Sequence, residues 1–340
     1  MLAVSLMAQI LTLQSAEAQT TSDLRRHTEH LPFCSGAVCL RFYRAIDANT
    51  SRKRSKKSGL MLSYRHSYHA GNHADVIKHL VQICILNYLK RKDKPFCYHD
   101  THAGAGLYSL HSEQAQKTAE YQTGIGKLWN YQGSNADIKA YVDTIRLVND
   151  SDDLAFYPGS PKIADLLCRA TDTIQATELH PSDHPILASQ FQRRRHSRIE
   201  KMDAWAGIRA MLPPLAKRGL VLIDPPYELK TEYQDLIKGL EQAVQRFPQG
   251  TYAIWYPVIE RQAVESFIDA IVDTQIRNQL RIEYCPQPDA EGFGMTGSGM
   301  LVINPPFTLK QDMENCLKQL SPLLSQNPLA HWQVTQLVDE

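Results

Sequence analysis

The sequence carries no surplus of charge of either sign. It has 37 Lys+Arg against 36 Asp+Glu, a net charge of +1 over 340 residues. A chain so balanced lacks the global electrostatic signature of a nucleic-acid binder. Residues 1–60 hold nine basic and four acidic residues, which leaves 28 and 32 for residues 61–340, a net −4. Contact with a polyanion must therefore come from local patches in the larger part. Paired cysteines are also missing. Cys34, Cys39, Cys84, Cys97, Cys168, Cys285 and Cys316 are odd in number and scattered, with no C-x-x-C. This excludes a disulfide framework and a zinc ribbon, and suits a reducing cytosol in which most serve as small buried hydrophobes. The apolar stretch Leu2 to Leu13 is too short to span a membrane. What is present, 43% hydrophobic and 21% charged residues, suits a soluble globular protein of one large or two small domains.

Residues 1–60 differ from the rest. Ala16-Glu17-Ala18 after the apolar stretch faintly resembles a secretory signal, but no basic segment precedes it. The segment turns polar and ends in Arg52-Lys53-Arg54-Ser55-Lys56-Lys57, which is compatible with a basic arm for nucleic acid. The reading adopted is a disordered extension, with Met61 as an alternative start.

From Met61 an alternating pattern begins. Asn72 is a good N-cap, and Val76, Ile77, Leu80, Val81, Cys84 and Leu89 give Ala74–Arg91 helical spacing. His69 and His73 are four apart, but Gly71-Asn72 interrupts the helix between them and no further ligand follows at a typical spacing, so no metal is expected. Pro95–Asp100 reads as a strand feeding Thr101-His102-Ala103-Gly104-Ala105-Gly106. An acid at a strand end followed by small residues and glycines lets a cofactor approach the backbone closely at Gly104. The third glycine of a dinucleotide fingerprint is missing. Residues 112–150 read as two or three short helices, an insertion at about 110–152. Tyr157–Pro161 reads as a loop, with Pro161 in the first turn of the next helix. Ile174–Glu178 is a second strand, and Glu178 stands where ribose hydroxyls are bound. Pro181–Gln192 is helical. Arg193–Arg198 is a basic cluster, read equally as a solvated helix end or as a phosphate contact. Ile199–Met202 leads to Asp203, placed to meet an adenine. Further strands are expected at Tyr252–Pro257, Gln279–Cys285 and Met300–Asn304, with helices at 231–247 and Ala263–Asp273. The whole is an α/β fold, an open, mostly parallel sheet ending in an antiparallel hairpin.

Leu220-Val221-Leu222-Ile223-Asp224-Pro225-Pro226-Tyr227 organises the chemistry. The apolar run reads as a buried parallel strand. The prolines turn the chain out of the sheet at Asp224, beyond a strand's carboxyl end, where ligands bind in such sheets. An exocyclic amine on a nucleobase is a poor nucleophile because its lone pair is delocalised into the ring. Held by the Asp224 carboxylate and the Pro225 carbonyl, the nitrogen can pyramidalise, while the Tyr227 ring stacks on the base. Asp-Pro-Pro-Tyr is the motif of amino-directed, S-adenosyl-L-methionine-dependent methyltransferases. Asn304-Pro305-Pro306-Phe307 also fits the pattern but follows the last strand, whereas the Asp224 motif ends the fourth strand of the alternation.

From Met61 onward, about 280 residues, the chain resembles the RlmJ family of bacterial 23S ribosomal RNA adenine-N6-methyltransferases. The resemblance is carried by Met61–Ser67, His69–Asp75, Asp100–Gly106, Tyr157–Pro161, Thr177–Asp183 and Asp224–Tyr227. It implies a class I, Rossmann-like methyltransferase fold with an inserted helical subdomain, S-adenosyl-L-methionine as cofactor, and N6 methylation of one adenosine in 23S rRNA in the cytoplasm. It implies cofactor contacts at His79, His102, Gly104, Ser160, Glu178, Asp203, Ala204 and Asp224, with Asp224, Pro225 and Tyr227 catalytic. Tyr64, His66, Lys78 and Tyr227 would meet the RNA, and the enzyme would be a monomer. Ala204 stands where the family carries glycine; only backbone contact is expected there. Other readings are a methyltransferase for another amine, guanine N2 or glutamine, and a catalytically silent RNA-binding or assembly protein.

Overall fold

The structure, a computed structural model, describes residues 65–150, 152–227, 232–290 and 294–340. The extension expected over residues 1–60, and Tyr64, lie outside them. The chain enters through a short 3-10 turn (His66–Tyr68) into α1 (His73–Lys90), capped by Asn72, whose side chain accepts the Asp75 N–H at 2.9 Å. Then follow β1 (Cys97–Asp100), β2 (Leu107–Ser109), α2 (Glu113–Thr118), a 3-10 turn (Glu120–Gln122), α3 (Ile125–Leu128), α4 (Ala136–Arg146), β3 (Phe156–Pro158) and α5 (Ser160–Leu167). The remainder alternates: β4 (Thr173–Thr177), α6 (Asp183–Phe191), β5 (Ser197–Glu200), α7 (Ala204–Met211), β6 (Gly219–Ile223), α8 (Glu232–Arg246), β7 (Thr251–Val258), α9 (Arg261–Asp273), β8 (Gln279–Cys285), β9 (Gly297–Ile303), α10 (Leu309–Leu324) and β10 (His331–Val338).

Eight strands form one sheet in the order β10-β8-β9-β7-β6-β1-β4-β5. The five from β7 to β5 are parallel, whereas β9 runs antiparallel to both β7 and β8, and β10 to β8. The mostly parallel sheet with its antiparallel end is thus present. Strand β6 shows why it forms: Leu220 and Leu222 pack into one core cluster while Val221 and Ile223 pack into the other, so both faces are covered. Helix α1 is buried on nearly every face, as a helix hydrophobic all round must be.

Two stretches differ from the sequence reading. Tyr157-Pro158, expected in a loop, lies in β3, which pairs antiparallel with β2. The C-terminal hairpin is followed by α10 and β10. Helix α10 has a buried stripe of Leu309, Met313, Cys316, Leu317, Leu320 and Leu324, and β10 completes the sheet edge. The five cysteines among the described residues are unpaired and buried.

The register brings the parallel strands to a common end. Asp100 lies opposite Leu222 and Ala176, and Thr177 opposite Glu200. The loops after β1, β4, β5 and β6 therefore converge on one edge, whereas Asn304, after the antiparallel β9, leaves the sheet at the other. Ile303 pairs with Tyr252 at the start of β7, and Asn304 donates its side-chain amide to the carbonyls of Pro248 and Gly250 at 2.8 and 3.0 Å. With φ +50° it occupies the left-handed region that asparagine tolerates. Asn304→Ala loses both bonds and adds strain. It is expected to cost about 1–3 kcal/mol in denaturant melts, with turnover per folded molecule unchanged in activity assays.

Candidate active site

At the converging strand ends lies a cavity of about 220 Å³, and beside it a second of about 410 Å³. Both are lined by His66, Lys78, Asp224, Pro226 and Trp255.

The first cavity is walled by the loop after β1. Gly104 has φ +60°, and a Cβ on it would come within 2.2 Å of Tyr108 Oη, so no side chain fits. Tyr108 Oη accepts the Ala105 N–H at 3.1 Å, and Glu178 accepts the N–H groups of Gly104 and His180, each at 2.6 Å. Burial raises the Glu178 pKa against these stabilising bonds. Asp203 caps α7 through Oδ1, which accepts the Trp205 and Ala206 N–H groups, and Ala204 opens that helix at the cavity wall.

His79 is fully buried on α1; its Nδ1 lies 2.7 Å from Tyr157 Oη, and its Nε2 has no hydrogen-bond partner. Burial pushes its pKa down to about 3, so the ring is neutral. His102 sits with Nδ1 2.8 Å from Thr101 Oγ1, and burial pushes it to about 4. Ser160 lines the same wall, but its hydroxyl already donates to Asp100 Oδ2 at 2.7 Å.

Asp224 stands at the junction. The Lys78 ammonium donates to Asp224 Oδ2 at 2.7 Å and to Asp75 Oδ1 at 2.8 Å, and lies 6.0 Å from the Trp255 ring centroid. Burial works against this charge, but the Asp224 and Asp75 carboxylates outweigh it and raise the lysine pKa. Tyr227 has φ +53°, strained for a bulky side chain. Its hydroxyl donates to the Trp255 carbonyl at 2.6 Å, and its ring lies 4.8 Å from that of Tyr233 and 5.8 Å from that of Trp255. It lines only the second cavity, where His73 is also buried, its Nε2 without a partner and its pKa pushed by burial to about 4.

Of the sequence-predicted residues, His66, Lys78, His79, His102, Gly104, Ser160, Glu178, Asp203, Ala204, Asp224, Pro225 and Tyr227 are thus brought to these cavities; Tyr64 lies outside the described residues. The basic cluster Arg193–Arg198 is not: it leads into the start of β5, at the opposite edge. Within it, Arg194 is spent on Asp165 and on the carbonyl of Arg169. His69 pairs with Glu120 rather than with His73. Among the described residues, Glu283, Cys285 and His331 have ligand-like spacing, but both Glu283 oxygens are occupied by arginines, Arg261 and Arg281. Sequence reading missed Asp75, Tyr108 and Trp255. Asp75 had a signal, its place one turn before Lys78 on the same helix. Trp255 had a weaker one, its place on a strand near the Asp224 motif.

A family profile described as "Ribosomal RNA large subunit methyltransferase D, RlmJ" matches residues 93–338. The chain is 50% identical over 280 residues to the ribosomal RNA large subunit methyltransferase J of Escherichia coli K12, covering 82% of this chain and 100% of that protein. It is 46% identical over 281 residues to the protein of the same name from Haemophilus influenzae, with the same coverage. A crystal structure of a Legionella pneumophila protein superposes with a TM-score of 0.73 at 33% identity, covering 79% of this chain and 98% of that one. The cavities, the strand-end acids and these similarities agree: the chain belongs to the RlmJ family of ribosomal RNA large subunit methyltransferases.

Proposed function

We propose that this protein transfers a methyl group from S-adenosyl-L-methionine to the N6 amine of one adenosine in 23S rRNA, in the cytoplasm. One observation carries the reading. Asp224 ends a central parallel strand at the junction of two cavities, one walled by a glycine loop and strand-end acids, the other by an aromatic platform.

The first cavity suits the cofactor. Gly104 lines it with backbone alone, so that a ligand can approach the chain closely there. Glu178 would accept the ribose hydroxyls, Asp203 and the Ala204 backbone would meet the adenine, and the unpartnered His79 Nε2 offers a polar contact. Once bound, the cofactor supplies an electrophilic methyl group on a sulfonium. Asp224 Oδ2 is held by Lys78, and no protein hydrogen bond among the described residues engages Oδ1, which is left for one amine N–H. The Pro225 carbonyl accepts the other, so the nitrogen lone pair turns out of conjugation. Tyr227, anchored through its hydroxyl, presents its ring to the base. Asp224 would face the positive charge that grows on the amine as it takes the methyl group and the carbon–sulfur pair stays with sulfur. Its interaction therefore strengthens toward the transition state. The amine need not be deprotonated first; it becomes acidic as the new bond forms and would pass its proton late to the Asp224 carboxylate that already accepts its N–H, and from there to solvent.

Mass spectrometry of 23S rRNA nucleosides from a deletion strain tests the reading: N6-methyladenosine should fall and return on complementation. Loss of a methylated guanosine instead, or no change in RNA with a methylated glutamine missing from protein, would replace it.

Glu178→Ala should weaken cofactor binding ~10–100-fold, since a buried charged hydrogen bond is worth about 1.5–3 kcal/mol. It should also lower the melting temperature, because the Gly104 and His180 N–H groups lose their acceptor. Calorimetry showing wild-type cofactor affinity in the folded variant would remove Glu178 from the site.

Asp224→Ala should abolish methyl transfer while the fold and most RNA affinity remain. Asp224→Asn should fail as well, because an amide is a weaker acceptor and can present its donor end. Tyr227→Phe keeps the ring but loses the bond to the Trp255 carbonyl and should retain part of the activity, whereas Tyr227→Ala should lose it. Radiolabelled methyl incorporation alongside RNA-binding titrations reads all four; an active Asp224→Ala enzyme would overturn the assignment.

A further inference from the structure

Asp75 ends the His69–Asp75 stretch but has been given no role so far, yet it is 2% exposed, with both oxygens engaged. Oδ1 accepts the Lys78 ammonium at 2.8 Å; Oδ2 accepts the Gly71 N–H at 2.8 Å and lies 3.0 Å from His66 Nε2. His79 Nε2 stands 3.9 Å from Oδ1. Burial alone would push this carboxyl up, but the bond to His66 and the Lys78 ammonium hold it well below the usual carboxylate range. It is therefore a fixed anion. A continuous row results: Asp224 Oδ2, Lys78 Nζ, Asp75 Oδ1, Asp75 Oδ2, His66 Nε2. The row joins the end of β6 to helix α1 and the 3-10 turn just before it, stretches some 150 residues apart in the chain that share the two cavities.

Lys78 poses a problem that Asp75 resolves. An ammonium 2.7 Å from Asp224 cancels the negative charge just where an amine turns cationic. With Lys78 and Asp224 alone, the pair is neutral and Lys78 is free to follow Asp224. With Asp75 included, the three charged side chains sum to one negative charge, and the ammonium is pulled from both sides, so that it restrains one Asp224 oxygen without neutralising the group. In a water-poor site such a charge acts at short range with little screening. The same carboxylate, through the Gly71 N–H and His66, pins the turn that lines the mouth of both cavities.

We propose that Asp75 is a positioning residue of the methyl transfer: it holds Lys78 and His66 against the cavities and keeps the Asp224 cluster anionic as positive charge develops on the amine. The inference rests on the reading of Asp224 as the acceptor of that amine. It predicts a loss in the chemical step rather than in ligand binding. Asp75→Asn, close to isosteric, should lower kcat on 23S rRNA by about ten- to a hundredfold. The calorimetric dissociation constant for S-adenosylhomocysteine should stay within about twofold, because the variant leaves the first cavity's glycine loop and Glu178 untouched. A purely structural residue would show the reverse: a lower melting temperature and fewer active molecules, with wild-type kcat per folded molecule. That result, or a matched loss of cofactor affinity, overturns the inference. Should Asp75→Asn not fold, Asp75→Glu decides through a cycle with Lys78→Met, read as single-turnover rates. The two effects should be strongly non-additive if Asp75 acts through Lys78, and additive effects overturn the inference. Asp224→Ala is assayed in parallel. Activity there removes the functional reading itself, whereas an inactive Asp224→Ala beside a fully active Asp75→Asn removes only the role of Asp75.

Discussion

A buried ammonium held between two carboxylates is the constraint around which this end of the molecule is arranged. Lys78 sits on a helix whose other faces are packed with aliphatic side chains, and its charge has almost no water to solvate it. Burying a charge without partners is prohibitively costly, and removing one partner of a buried pair typically costs about 3–5 kcal/mol. The helix supplies one of these partners itself, Asp75 one turn earlier, and the other comes from the end of β6. Packing and electrostatics impose the same placement: the helix must cover the sheet so that its first turns overlook the strand ends. The glycine loop, the strand-end acids and the Tyr227 platform then surround a point already set.

Much of this was legible in the residues. The unbroken apolar run before Asp224, the prolines after it and the glycine loop after Asp100 are local signals, and each reflects a local physical demand: burial on two faces, an exit from the sheet, room for close backbone approach. Glu178 and Asp203 could be read because strand ends were readable. Asp75 is different. Its role depends on Lys78, Gly71 and His66 meeting in space, and an acid in the first turn of a helix has the ordinary explanation of favouring the helix dipole. Trp255 and Tyr108 are aromatic residues that pack with the core, and the assembled fold shows that they also border a cavity.

The two look-alikes are instructive for the same reason. Asn304-Pro305-Pro306-Phe307 has nearly the composition of the Asp224 motif and also follows a strand, but that strand runs the other way, so the motif leaves the sheet at the far edge. The arginine cluster at 193–198 precedes a parallel strand rather than following one, and ends at that far edge too. A motif carries no information about the direction of the strand it decorates; pairing partners distant in sequence decide it. The late helix α10 and strand β10 escaped for a related reason: the apolar stripe of α10 was readable, but its place under the sheet follows from β8 needing a partner on its outer side.

The helices between β2 and β3 bear on the site through a few contacts. Glu120 bonds His69 at 3.0 Å and the Asn72 side chain at 2.9 Å, and the Ile125 N–H donates to the Gly71 carbonyl at 2.9 Å. Gly124 packs so closely there that an added Cβ would fall 2.0 Å from the Gly71 oxygen. The turn that delivers His66 and starts α1 is thus clamped by a segment that arrives some fifty residues later. Chain order and mechanical order part company here: the amino-terminal end of α1 is braced by helices that follow it in the chain, so this stretch cannot be pruned or exchanged as a detachable module without loosening the first turn of α1.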